Sequence, residues 1–239
     1  MKYLYGPVKS RRLGFSLGIS ITPYKTCDFD CIYCQLGKTN NLAIERKEYI
    51  KVSEIIDELK VWLENEKELT QGLEYITLSG SGEPTLNIKI QELILEIRKL
   101  TPLKIALLTN ASLLSDREVR QQIMGVDLIV PSLDAVTQAL FVRVDRPHSN
   151  INVEDIINGL IALRREFRGK IWLEVMLIAG INDDIRHIRK LKEVIENINP
   201  DRVQLNSPAR TTAEKGVLAV GKSKLKKIKE ILGEKTEIF

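Results

Sequence analysis

An α/β fold, specifically a partial (β/α)6 TIM-type barrel, is what this sequence predicts, and three observations predict it. Short apolar runs alternate with segments of helical period along the whole chain. One run, "KIALLT" at 104–109, is almost continuously hydrophobic, as a parallel strand covered on both faces is. Six strand–helix pairs can be drawn, and right-handed crossovers between them curl a parallel sheet. Eight pairs would close the barrel, and the roughly 30 residues left after the sixth strand cannot supply two more.

The predicted strands are 17–22, 75–79, 104–109, 127–132, 171–178 and 202–206. Between them lie apolar stripes at three- and four-residue spacing. Val52, Ile55, Ile56, Leu59 and Leu63 form one, with Ser53 read as its N-cap. Ile90, Leu93, Ile94 and Ile97 form the next, and Val153, Ile156, Ile157, Leu160 and Phe167 follow Asn152. Ile185, Ile188, Leu191, Val194, Ile195 and Ile198 run up to Asn199-Pro200, a helix stop. Residues up to about 16 read as a short N-terminal extension. From about 221 the tail "GKSKLKKIKEILGEKTEIF" reads as one basic amphipathic helix with a frayed end. Without a linker, repeat or low-complexity tract, 1–239 reads as a single domain.

The composition is that of an ordinary globular chain, 44% hydrophobic and 28% charged. A formal net charge of +4 is too slight to imply nucleic acid. Lys and Glu abundance with few Cys and Met suits a heat-adapted protein. No run of 18 apolar residues suggests a membrane span, and "MKYLYGPVKSRR" lacks the apolar segment of a secretory signal. Clustered reduced cysteines suit the cytosol, so a cytoplasmic location is expected.

Loops leaving the C-terminal ends of barrel strands build active sites, and the unusual polar stretches fall there. A cysteine-bearing loop follows the first strand. "SGSGEPT" (79–85), "TNAS" (109–112), "PSLDA" (131–135), "AGINDD" (179–184) and "NSPAR" (206–210) follow the others. Cys27, Cys31 and Cys34 are the only cysteines, spaced C-x3-C-x2-C. A fully ligated iron–sulfur cubane takes four thiolates, so three leave one iron open to a substrate. Structural zinc wants four ligands, and the only histidines, His148 and His187, are distant and unpaired. A redox dithiol of Cys31 and Cys34 would leave Cys27 without a role. "GKT" at 37–39 fails as a phosphate loop because Ile32 stands where its first glycine is needed.

The spacing C-x3-C-x2-C, with Tyr33 before the last cysteine, resembles the signature of the radical S-adenosylmethionine (SAM) superfamily. "SGSGEPT" resembles that superfamily's glycine-glycine-glutamate motif, with Ser81 in place of one glycine. The resemblance implies a radical SAM core. Cys27, Cys31 and Cys34 would hold a site-differentiated 4Fe-4S cluster whose open iron takes the amino and carboxylate groups of SAM. One electron then breaks the sulfonium, and a 5′-deoxyadenosyl radical abstracts hydrogen from a substrate. It further implies that the Tyr33 main chain lies against adenine. Gly82, Glu83 and Pro84 would meet the methionine ammonium through charge-assisted hydrogen bonds. Asn110, Ser132 and Asp134 become candidates for the ribose hydroxyls or the SAM carboxylate. "MLIAGIND" partly matches an adenine-contacting motif: Ile178 and Gly180 fit, Asp183 replaces a glutamate, and Met176 stands where glycine is usual. Backbone groups from Val203 to Asn206, Leu205 included, would complete the adenine site.

More narrowly, "YGPVKSRRLGFSLGI" and "KTCDFDCIYCQLGKT" resemble a poorly characterised family of iron–sulfur oxidoreductases grouped with wyosine-building radical SAM enzymes. The wyosine enzymes carry a second cluster on further cysteines that this chain lacks, so their RNA substrate is not carried over. A low-potential electron donor, ferredoxin or flavodoxin, is implied, and an open barrel side suits a macromolecular substrate. RNA, a peptide or protein, and a small molecule all remain open.

Glu174 lies mid-strand in "IWLEVMLI" on one pleat face with Trp172 and Met176. Facing the barrel interior it is a catalytic candidate touching substrate or SAM; facing a helix it is a salt-bridged structural group. Arg143, Arg146 and Arg210 are candidates for binding substrate anions or plain surface groups, and "KSRR" at 9–12, expected beside the cysteine loop, is either a mark of a phosphate-bearing substrate or a solvated patch. Two other classes compete: an electron-transfer iron–sulfur protein without SAM chemistry, and a zinc-stabilised interaction module.

Overall fold

The computed structural model describes residues 1–10, 12–40 and 42–239; Arg11, part of the basic run at 9–12, lies outside them. Eight strands form one sheet in chain order: β1 (Leu4–Ser10), β2 (Gly14–Ser20), β3 (Tyr75–Ser79), β4 (Lys104–Thr109), β5 (Leu128–Pro131), β6 (Lys170–Met176), β7 (Arg202–Asn206) and β8 (Thr236–Ile238). β1 pairs antiparallel with β2, and every later pairing is parallel. Among the described residues β1 and β8 do not pair with each other, so the barrel is open along one side. The helices are α1 (Val52–Asn65), α2 (Lys67–Gln71), α3 (Ile90–Leu100), α4 (Arg117–Gln122), α5 (Gln138–Val144), α6 (Val153–Glu166), α7 (Ile185–Ile198) and α8 (Lys222–Leu232). The six predicted strand–helix units are present as β2 to β7, each followed by a helix.

Period-2 alternation divides each strand between two environments. Ile76, Leu78, Ile105, Leu107, Ile129, Leu173 and Val203 face outward and merge with the helix stripes in one buried cluster. Each such aliphatic side chain contributes about 1.5–3 kcal/mol by leaving water. The opposite positions face the lumen. At its floor Leu13, from the β1–β2 turn, packs with Ala106, Leu128 and Val130, and Trp172 borders this plug under the Arg202 guanidinium, 4.4 Å away. Above the plug the lumen is polar, with Ser16 and Thr77 hydroxyls 2.8 Å apart.

Three expectations change. The predicted frayed end is β8, parallel to β7, and the N-terminal extension is half of a hairpin, so both termini lengthen the sheet. α1 begins one residue before Ser53: Lys51 occupies the cap position, without a side-chain bond. Lys9 and Arg12 of the basic run lie by the N-terminal end of β2, away from the cysteine loop that follows its C-terminal end. Asn152 does cap α6, accepting from Asp155 N, and Asn199 ends α7 in the left-handed region.

Candidate active site

The cysteine loop is tied down on both flanks. On one side Lys25 N donates to Ser81 O at 2.5 Å and Glu83 N to Thr26 O at 3.0 Å. On the other, Asp30 N donates to Asp145 O and Ile32 N to Val144 O, while the Phe29 and Phe141 rings meet edge to face at 5.3 Å. Gly82 makes the first seam possible, because a Cβ there would sit 1.9 Å from Thr26 O.

All three thiols are free, half-buried and line one cavity. Their surroundings differ. Burial, then the Asp28 carboxylate, pushes the Cys27 thiol up; burial and Asp145, with Oδ1 at 3.5 Å, do the same for Cys31. Cys34 instead has the Lys25 ammonium at 3.3 Å. Buried thiols beside carboxylates ionise poorly alone, and iron, when bound, would supply the missing positive charge. Three soft donors in one loop, with no fourth cysteine, fit a site-differentiated cluster. Zinc would need a fourth ligand, and no three His, Cys, Asp or Glu among the described residues converge on a single ion position.

Glu83 is buried and its carboxylate is engaged on both oxygens. Oε1 accepts from Thr85 N (3.0 Å), Thr85 Oγ1 (2.6 Å) and Thr109 Oγ1 (2.7 Å), and Oε2 from Asn110 N (2.7 Å). It therefore staples the turn after β3 to the end of β4. Burial nevertheless pushes its carboxyl up to about 7, with Asp28 adding repulsion. Asn110 donates from Nδ2 to Asp28 Oδ1 at 2.6 Å and sits 3.8 Å from the Cys27 sulfur.

Asp134 is likewise committed. It accepts from the Tyr33 hydroxyl and from Met176 N, the latter at 2.7 Å, and burial pushes it up to about 7. Asn182, which sequence reasoning passed over, binds this corner together: its Nδ2 donates to Asp134 O and Met176 O, and its Oδ1 accepts from Ile178 N. Asp28 and Asp145, both buried beside cysteines, were also missed. Aspartate in a loop reads as an ordinary turn residue, and only the fold brings Asp145 to Cys31.

The cavity holds about 1210 Å³, above the 300–1,000 Å³ usual for one small ligand. It runs from the cysteines past Gly82, Asn110 and Ser132 to Glu174 and Asn206, and it reaches the open side at Tyr5 and Phe239. Glu174 faces the lumen and is also paired. Arg12 bonds its Oε2, and Asn206 Nδ2 donates to Oε1 at 3.0 Å.

Several predicted residues lie elsewhere. Pro84 is buried at the start of a short 3-10 turn. The Ile178 side chain packs with Ile32 and Val144. Leu205 points into the outer core and its carbonyl accepts from Phe239 N, so it offers the lumen neither side chain nor carbonyl. Gly180 adopts φ +72 in the loop after β6, where its N–H bonds Asp183. Arg143 is exposed, Arg146 pairs with Glu214 at 2.6 Å, and Arg210 donates to Gln35 at the cavity edge.

An open barrel of six strand–helix units, with three cysteines in its first loop above a polar lumen, defines a radical SAM core. The radical SAM superfamily pattern matches residues 21–191, and the chain belongs to that superfamily. It is 42% identical over 229 residues to a protein of Brachyspira hyodysenteriae named GTPase Obg, covering 96% of this chain and 33% of that one. It is 37% identical over 208 residues to a UPF0026 protein of Synechocystis sp., covering 87% and 76% respectively. Within the superfamily the chain is a member of the UPF0026 family. It spans a third of the Brachyspira protein, so the nucleotide hydrolysis in that protein's name is not carried over. A probable dual-specificity RNA methyltransferase RlmN of Prochlorococcus marinus is 30% identical over 183 residues, 71% of this chain and 49% of that one. Among solved structures, a radical SAM methyltransferase from Sphaerobacter thermophilus superposes with a TM-score of 0.73 at 16% identity, covering 94% of this chain and 65% of that one; it shares the fold. The chain is thus a radical SAM enzyme whose cofactors are a 4Fe-4S cluster and SAM. No helix among the described residues is long and apolar enough to cross a membrane.

Proposed function

We propose that Cys27, Cys31 and Cys34 hold the cluster at the top of the lumen and that hydrogen is abstracted there from a substrate entering through the open side. The cluster and SAM, when bound, supply the electron and the carbon radical; the chain supplies position and the exclusion of water. The carrying observation is that the three thiols, the Gly82–Glu83 turn, Asn110 and Glu174 line one cavity. Asn110 and Ser132, half-buried just past the ends of β4 and β5, line this cavity with the cysteines, and they serve the SAM ribose or carboxylate. The backbone of the turn at 81–83, held against the cysteine loop, serves the methionine ammonium, while Tyr33 and Asp134 act as a buried brace. Glu174, with Asn206, meets the substrate. The resemblance to RlmN, an RNA methyltransferase by name, favours RNA over a peptide or a small molecule. A ferredoxin or flavodoxin supplies the electron.

Anaerobic reconstitution with iron and sulfide, followed by dithionite and SAM, tests the reading. We expect four irons per chain and release of 5′-deoxyadenosine, both lost in Cys31→Ala. A cluster whose spectrum ignores SAM would reduce the protein to an electron carrier.

A further inference from the structure

We propose that α8 is a docking element for a single-stranded nucleic acid, gripping its phosphates beside the open side of the barrel. Five lysines against one glutamate give α8 a formal charge of +4. The whole chain also carries +4, so the remainder balances to zero. The excess charge of this protein is therefore concentrated on one helix.

The placement of those lysines is directional. Leu225, Ile228 and Leu232 are buried and fix which side of α8 faces the protein. Lys224 pairs with Asp183 at 2.6 Å, directly before the N-cap of α7, so its flank looks toward α7. Lys222, Lys226 and Lys229 recur at i, i+4 and i+7 on the other flank. That flank turns away from α7, and α8 also packs against β8, the edge strand that borders the opening. All three lysines are exposed and, among the described residues, have no acidic partner within 4 Å. The row spans about 10 Å.

This arrangement costs the fold stability. Like charges at i, i+4 disfavour a helix by about 0.2–0.5 kcal/mol per pair. The first turn of α8 has no acidic residue, Gly221 provides no side-chain cap, and Lys222 sits at the positive end of the helix dipole. Other helices do the opposite: Lys60 pairs with Asp57 on α1, and Lys89, just before α3, and Lys99 on it pair with Glu92 and Glu96. An uncompensated lysine row is explained by an anion outside the protein.

The chemistry of the row selects the partner. Protein interfaces deplete lysine and enrich aromatic residues and arginine, and α8 carries neither. Phosphate backbones are held by lysine as point charges without sequence reading. A single strand fits because a base reaches an enclosed site only when it is out of its stack, and the lumen opens between β1 and β8 next to this helix. The inference rests on the reading of the lumen as a radical SAM site for its purpose, but not for its test.

Fluorescence anisotropy of the full chain with a labelled unstructured RNA, its DNA counterpart and polyglutamate decides the matter. We expect binding of the nucleic acid, with the RNA and DNA arms showing which sugar is preferred. Lys222→Gln/Lys226→Gln/Lys229→Gln should weaken binding at least tenfold and lower the salt slope by about 2, from about 0.7 per phosphate contact on a single strand. Lys227→Gln, on the far side of α8, should leave affinity unchanged. Equal binding by the triple variant, no binding by the unaltered chain, or tighter binding of polyglutamate would overturn the proposal. Production of 5′-deoxyadenosine by the reconstituted unaltered chain is scored separately, so loss of this inference leaves the radical chemistry standing.

Discussion

Arg12 and Glu174 meet across the lumen although 162 positions separate them in sequence. Arg12 comes from the β1–β2 turn, outside the span 21–191 shared with the superfamily, whereas Glu174 lies on β6 within it. The N-terminal hairpin thus reaches the interior of a core built by the rest of the chain, and it pairs with the carboxylate that faces the lumen. Both side chains are mostly covered, 28% and 16% exposed. Removing one partner leaves a poorly solvated charge, which costs about 1–3 kcal/mol. Arg12→Met should lower the unfolding free energy by that amount, and adding Glu174→Met should return most of the loss. Urea titration of both single variants and the double variant gives the coupling; strict additivity would show that the pair carries no stability.

Gly82 and Gly180 make opposite predictions although both belong to motifs recognised in the sequence. A Cβ at Gly82 would meet Thr26 O at 1.9 Å and Thr22 Oγ1 at 2.8 Å. Gly82→Ala should therefore separate the turn after β3 from the cysteine loop, lowering iron incorporation severalfold while the far-ultraviolet circular dichroism stays native. At Gly180 nothing lies within 4 Å, and only φ +72 penalises a side chain. Gly180→Ala should cost about 1–2 kcal/mol and retain iron. Equal iron contents in the two variants would contradict the packing role of Gly82.

Much of the fold was legible because the outward faces of β2 to β7 and their helices carry the apolar periodicity. β1 was not: "LYGPVKS" mixes Gly, Pro and charge, and it becomes a strand only by pairing with β2. β8 has three residues, too few to show a period. That the three cysteines share one loop was legible from their spacing, and the cluster they are expected to hold from the resemblance that spacing carries. The roles of Asp134 and Glu83 were not, because whether a carboxylate faces a ligand or a ring of protein donors depends on contacts between loops from different strands.

Lys25 is the only cation among the described residues that contacts a cysteine sulfur, 3.3 Å from Cys34. It holds φ 58, a region non-glycine residues seldom occupy, while its N–H bonds Ser81 O. Charge and hydrogen bonds at cluster sulfurs set the reduction potential. An ammonium so close favours the added electron by on the order of 1 kcal/mol even at the dielectric of water, or about 45 mV for one electron. Lys25→Met should keep its iron and titrate at a potential more negative by about that much in electron paramagnetic resonance. An unchanged potential would mean the ammonium turns to solvent once iron is bound.

His187 makes one contribution to stability that is lost in acid. It sits on α7 with 5% exposure, and neither ring nitrogen has a partner among the described residues. Burial holds its pKa below the ordinary 6.5; the Asp134 backbone and the Asp184 side chain pull it the other way without prevailing, and Lys190 adds to the depression. The folded chain therefore keeps a neutral imidazole at a pH where the unfolded chain has already taken up a proton. For this group the unfolded state binds more protons in that window, so its contribution to stability rises with pH, against the opposite trend of the raised Glu83 and Asp134 carboxyls. It is complete above 6.5 and is lost as pH falls from there through the lower folded value. His187→Leu removes the titrating group and fills the space with apolar atoms. Chemical denaturation of both proteins at pH 7.5, 6.5 and 5.5 should show a smaller loss in the variant on acidification. Parallel losses would place the acid sensitivity in the carboxylates instead.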